Sequence, residues 1–195
     1  GTLCPGDDVI FSPSNKRGRI HSAHNPSATA FTTEDGARDI SIILTDDGFV
    51  EVGQILSHNF QLPIETDVFR ARLMNFGAED IAEGHAVSLE LLGETYEAIV
   101  QKVEHVVDLG DGALFGEHVV GKNQVAELVL RTRSIIPVDE NGAFEGAGYL
   151  TVLSGDGMID AAGLISMAGY ADQRSLITPR SSNITLVNKP FIVAS

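Results

Sequence analysis

The chain has 195 residues, 43% of them hydrophobic, which is enough apolar surface for a packed core and excludes a globally disordered protein. Lys and Arg number 13 against 27 Asp and Glu, and the formal charge of −14 repels a phosphate backbone at long range. One cysteine, Cys4, excludes an intramolecular disulfide, and no apolar run reaches the roughly 18 residues of a membrane-spanning helix. With no signal peptide at its start, the expected compartment is the cytoplasm.

The elements follow one another as short strands and turns. "PGDDVIFSPSNKRGRI" opens on the turn Pro5-Gly6-Asp7, runs through an apolar strand, and turns again at Ser14-Asn15. Lys16 and Arg17 are placed at the tip of this hairpin, with Arg19 and Ile20 starting the return strand. A short helical turn is expected within residues 26–39. Pro63, in "HNFQLPIETD", interrupts strand pairing and marks a boundary. Beyond it "VFRARLM" alternates Val68, Arg70, Arg72 and Met74 with Phe69, Ala71 and Leu73. "VSLELL" sets Val87, Leu89 and Leu91 on one face. "VAELVLRTRS" sets Ala126, Leu128 and Leu130 against Glu127, Arg131 and Arg133. Period-two alternation of this kind belongs to half-buried antiparallel strands. Turns recur at Asn75-Phe76-Gly77, Gly93, Gly110-Asp111-Gly112, Asn141-Gly142 and Gly155-Asp156-Gly157, the spacing of a β-barrel or sandwich. The expected organisation is a unit over residues 1–62, a second over 63–168, and a tail over 169–195 with late strands near 184–187 and 191–193.

Asn15-Lys16 and Asn188-Lys189 begin like the guanine-reading Asn-Lys-x-Asp, but the fourth residues are Gly18 and Phe191. No Walker-type phosphate loop is present. "GDGALFG", with Gly110, Gly112 and Gly116, resembles a dinucleotide fingerprint, but Asp108 and Asp111 would repel pyrophosphate, so a glycine-rich β loop is the expectation. His21-x-x-His24 lacks a third metal ligand, and His58, His85, His105 and His118 stand singly. Cys4 has no base beside it in sequence and reads as a small residue next to a turn proline. No catalytic, cofactor or metal residues are therefore assigned. The candidate partner-contact residues are Lys16, Arg17 and Arg19, the most basic short run of the chain.

Several stretches together resemble one family. "PGDDVIFSPSNKRGRI" is similar to the second domain of translation-factor-like GTPases, and "PIETDVFRARL" to the entry into their third. "VAELVLRTRSIIPVDENGAFEGAGYLTVLSGDGMIDAAGLI" is similar to that domain's closing strands. "GYADQRSLITPRSSNITLV" resembles the exit segment of the large, GTPase subunit of sulfate adenylyltransferase in the bacterial form fused to adenylylsulfate kinase. At the glycine-rich turn the chain departs from the family, with Phe144 and Glu145 where a basic residue and a Thr are usual.

The resemblance implies an all-β fold of two small antiparallel barrels, like domains 2 and 3 of elongation factor Tu. The first barrel is expected to be incomplete, with its opening strands upstream of Gly1. It implies a non-catalytic region with no cofactor of its own, GTP, Mg and ATP belonging to other domains or to the partner subunit. The implied partners are the GTPase domain and the small catalytic subunit. Neither a membrane nor a nucleic acid is among them. An open barrel edge is expected to be covered by residues 184–187 of the same or a second copy. The rival reading is a translation-factor fragment contributing to aminoacyl-tRNA binding, against which the acidic charge argues. A third is an interaction module of an unrelated pathway.

Overall fold

The structure, a computed structural model, describes residues 3–24, 41–45, 50–110, 114–115, 118–140 and 146–174. The expected helical turn at 26–39, Phe144 and Glu145, and the late strands at 184–187 and 191–193 lie outside these residues.

The first sheet contains β1 (Asp8–Ser12), β2 (Lys16–His24), β3 (Ser41–Leu44) and β4 (Ile55–His58), in the order β3-β2-β1-β4 and antiparallel throughout. Alternation puts Val9 and Phe11 on one face of β1, and the register shift in β2 between Ile20 and Ser22 brings Ala23 to the same side as Ile20; the four form one small cluster, with Leu3, Ile42, Leu44 and Leu56 packed around it. Among the described residues this sheet is open, with β3 and β4 at its edges.

The hairpin between β1 and β2 differs from expectation. Its tip is Pro13-Ser14-Asn15, and Lys16 and Arg17 already sit in the ladder opposite Phe11 and Ile10. Asn15 has φ 55°, a left-handed conformation that Asn tolerates better than most residues, so the turn closes before the basic residues begin. Ser14 Oγ donates to the Phe11 carbonyl at 3.1 Å and tightens the turn.

The second sheet is larger. Its long strands are β5 (Ile64–Asn75), β7 (Ala86–Leu91), β8 (Glu94–Asp108), β11 (Gln124–Val138), β12 (Tyr149–Leu153) and β13 (Ile159–Ser166). They run in the order β11-β5-β13-β12-β7-β8, and β11 pairs again with β8, closing a six-stranded antiparallel barrel. The short strands are β6 (Ile81–Ala82), β9 (Leu114–Phe115) and β10 (Val119–Val120); β9 pairs antiparallel with β8, and β6 with β10.

β8 and β11 are each 15 residues long, and β8 pairs with β7 over its first residues and with β11 from Ala98 to Asp108, which closes the barrel. A register shift in β11 between Arg131 and Ile136 bends the strand, and Thr132 Oγ1 satisfies the displaced Ser134 carbonyl at 2.7 Å. The interior holds Phe69, Ala71 and Leu73 of β5, Leu89 and Leu91 of β7, Ala126, Leu128 and Leu130 of β11, and Leu150 and Val152 of β12. Those of β5, β7 and β11 are the inward phases read from the sequence. Each buried Leu or Phe contributes roughly 1.5–3 kcal/mol by leaving water.

Candidate functional site

The three basic residues expected to meet a partner do not form one patch. Side chains alternate along β2, so Arg17 and Arg19 share a face and Lys16 takes the other. Arg19 donates through Nε and Nη2 to the Asp8 carboxylate at 2.8 and 3.2 Å. That hydrogen bond, with the guanidinium charge, holds the Asp8 pKa below the ordinary carboxylate range. Arg17, Arg19 and Asp8 border a shallow pocket of about 500 Å³ with Gly18, Thr45 and Asn59. Its basic character is therefore partly cancelled from within.

The same cancellation recurs on the outer face of the second barrel. Arg70 pairs with Glu104 at 3.1 Å, Arg72 with Glu127, Arg131 with Asp67 at 2.5 Å and Arg133 with Glu97 at 2.9 Å. All four arginines are more than a third exposed, and each such pair contributes at most about 1 kcal/mol. Their consequence is electrostatic: four outward arginines present no free cationic stripe to a phosphate chain. β9 pairs antiparallel with β8, and at the end of β8 Gly110 N donates to Asp108 Oδ1 at 2.7 Å in an Asx turn. Gly112 and Gly116 of the glycine-rich segment lie outside the described residues. His21 is exposed on β2, and no cluster of three or more potential metal ligands exists among the described residues. Cys4 is exposed in the first turn, its amide donating to Asp7 Oδ2 at 2.7 Å.

The most built site lies where the two sheets meet, and sequence reading missed it. Glu65, on β5, is completely buried. Its Oε2 accepts from Asn15 Nδ2 at 3.2 Å, and its Oε1 lies 2.7 Å from Arg174 Nη1. Arg174 Nη1 points its protons elsewhere, to Ser12 Oγ at 3.3 Å and Asn15 Oδ1 at 3.1 Å, and Nη2 donates to the Pro63 carbonyl. Glu65 Oε1 is accordingly held by charge and makes no hydrogen bond.

The segment before Arg174 is also tied down. Glu65 N donates to Asp172 Oδ1 at 3.1 Å, Gln173 N to the Glu65 carbonyl at 2.7 Å, and Gln173 Nε2 to Asp67 Oδ1 at 2.8 Å. Burial pushes the Glu65 pKa above the ordinary range; Arg174, Ser12 and Asn15 pull it down, and Asp172 adds to the rise. Alternation does not point to Glu65: Asp67, on the same odd-numbered phase as Phe69, Ala71 and Leu73, turns outward to Arg131, so the phase breaks between Glu65 and Phe69.

Beside this junction runs an open groove of about 650 Å³. Pro13, Ser14 and the segment 51–54 form one wall; Glu94, Tyr96, Ser134 and Ile135 form the other. At Gly53, φ is +78°, and a Cβ there would lie 2.6 Å from Glu94 Cγ and 2.9 Å from the Tyr96 hydroxyl. Only glycine combines that backbone with that close approach.

The fold defined by these elements is that of the β-barrels of translation-factor GTPases. Crystal structures of Sup35 complexed with GDP and with GMPPNP match it with TM-scores of 0.68 and 0.69, at 16% and 15% sequence identity. Each match covers 85% of this chain and 41% of the Sup35 chain. In sequence the chain is similar to the bifunctional enzyme NodQ of Rhizobium tropici, 22% identical over 167 residues. That match covers 82% of this chain and 26% of NodQ, so the chain spans about a quarter of that relative's length. No family model matches.

Proposed function

We propose that this chain is the β-barrel region of a sulfate-activating GTPase subunit. It supports the GTPase domain of that subunit and binds the small catalytic subunit of sulfate adenylyltransferase. The parent activity is the GTP-driven conversion of ATP and sulfate to adenylylsulfate and pyrophosphate, with a fused adenylylsulfate kinase completing the parent chain. GTP, Mg and ATP bind in other domains or in the small subunit. The observation that carries this reading is the match to a bifunctional relative over 82% of the chain, on a translation-factor barrel fold.

Two experiments test it. Mixed with the small subunit from its own source, the chain forms a stoichiometric complex, measured by light scattering after gel filtration. Titrated calorimetrically with GTP, it shows no heat of binding at micromolar concentrations. Absence of the complex, or micromolar GTP binding, overturns the proposal.

The Sup35 likeness supports a second reading, translation-factor domains that help bind aminoacyl-tRNA. The paired arginines of the second barrel and the charge of −14 weigh against it. Filter binding with tRNA over a salt series separates the two, because phosphate contacts lose affinity steeply as salt rises. Tight, salt-steep binding selects the translation factor.

A further inference from the structure

We infer that the segment Asp172-Gln173-Arg174 is a clasp that sets the orientation of the two β units relative to each other. Arg174 is its positioning residue and the buried Glu65 its seat. This inference stands on the junction geometry alone and holds for either reading of the parent protein.

The chain leaves β13 at Ser166, on the second barrel, and then returns over the start of β5. Two of the clasp residues face that barrel: Asp172 accepts from Glu65 N, and Gln173 bonds to the Glu65 carbonyl and to Asp67. Arg174 reaches across. Its guanidinium meets Ser12 and Asn15 of the first hairpin, Pro63 of the connection, and Glu65 of the second barrel. One planar, five-donor group thus bonds to both units and to the link between them, a task suited to arginine and beyond a lysine's single ammonium. Covalently, the units are joined by the short stretch from His58 at the end of β4 to Ile64 at the start of β5. Without extra contacts, a connection of this kind leaves the relative orientation free. Besides the clasp, the Asn15–Glu65 hydrogen bond crosses directly from the first hairpin to β5, and Gly53 packs closely against Glu94 and Tyr96 across the groove.

The seat gives the clasp a sense of pH. Four groups face the Glu65 carboxyl: Ser12 and Asn15 from the first hairpin, Asp172 and Arg174 from the returning segment. Asp67, beside Glu65 on β5, is occupied by Arg131 and Gln173. In the closed junction the carboxyl is out of water and its pKa is raised, chiefly by burial. Opening hydrates it and returns it to the ordinary range. The closed form therefore binds the proton more tightly, so acid favours closure and closure weakens as pH rises through the raised pKa. Arg174, with the hydrogen bonds from Ser12 and Asn15, favours the closed junction when Glu65 is ionised.

The test uses the whole chain with Cys4→Ser and spin labels on His21→Cys in the first sheet and Lys122→Cys in the second barrel, both exposed positions. Pulsed electron resonance reads the distance distribution between them. The parent gives one narrow peak. Arg174→Ala broadens it at about pH 7, to about twice the width or more, and narrows again near about pH 5. Arg174→Lys gives an intermediate width. Glu65→Gln, which keeps the shape and removes the charge, stays narrow at both pH values. Circular dichroism reports whether each variant is folded. If Arg174→Ala fails to fold, the Glu65→Gln pH response carries the test in a parent weakened at the seat by Asn15→Ala. A folded Arg174→Ala variant with the parent's narrow peak overturns the clasp, and so does a Glu65→Gln variant whose width still changes with pH.

Discussion

Asn75 offers the sharpest test of how the second barrel is held. Its side chain is fully buried at the end of β5. Nδ2 donates to the Glu79 carbonyl at 2.9 Å and to the Val120 carbonyl at 3.1 Å, and Oδ1 accepts from Gly77 N at 3.1 Å. One amide thus pins the turn after β5 and the strand β10 to the barrel. Asn75→Ala removes all three bonds. Gly77 N keeps a second acceptor, the Asp160 carbonyl at 2.8 Å, so that donor is not orphaned. The two carbonyls each lose a partner of about 1 kcal/mol, and the shared bond adds a fraction, giving a loss of about 2–3 kcal/mol.

With a urea m-value of about 2 kcal/mol/M, the midpoint falls by about 1–1.5 M, followed by circular dichroism. Asn75→Asp keeps the shape but turns a buried carboxylate toward two carbonyl oxygens. Its folded pKa is raised above the unfolded value, so this variant is worst at neutral pH and recovers as pH falls. A midpoint shift below about 0.5 M for Asn75→Ala, or an Asn75→Asp variant most stable at neutral pH, would refute the reasoning.

Other consequences are as direct. At Gly163, on β13, a Cβ would lie 2.4 Å from the Arg72 carbonyl oxygen and 2.6 Å from Leu73 Cβ, so Gly163→Ala must push β13 off β5. The expected cost is about 1–3 kcal/mol in thermal or urea unfolding, and an unchanged midpoint would contradict the close approach. Glu127 has its pKa lowered first by the hydrogen bond from Arg72, against a smaller upward push from burial. Arg72→Ala should move its carboxyl titration up toward the ordinary range by NMR. The depressed value means that any stability from the pair is present above the unfolded pKa and lost as pH falls through the folded one. Leu128→Ala in the barrel interior should cost about 2–5 kcal/mol, whereas Val87→Ala, only partly buried on the same inward phase of β7, should cost clearly less.

The sequence alone determined much of this protein. Alternation in "VFRARLM" and "VAELVLRTRS" assigned Phe69, Ala71, Leu73, Ala126, Leu128 and Leu130 to the core, because a strand's side chains can only alternate. Glycine and asparagine located the turns at Ser14-Asn15, Asn75-Phe76-Gly77, Gly93 and Gly155-Asp156-Gly157, and the motifs of the two halves carried the resemblance to a translation-factor-like GTPase fold. Tertiary structure decided what depends on partners distant in the chain. Lys16, Arg17 and Arg19 read as one basic run, yet alternation splits them and Asp8, eleven residues from Arg19, cancels part of the charge. Arg70, Arg72, Arg131 and Arg133 found their carboxylates on other strands or across the bulge.

Glu65 and Arg174 are separated by more than one hundred residues, and the second lies in a segment that composition alone describes as a linker. Local propensity and periodicity act over a few residues, and so they are written in the sequence. Charge pairing and burial at a junction depend on where the chain returns in space, and only the folded barrels bring Arg174 back to Glu65.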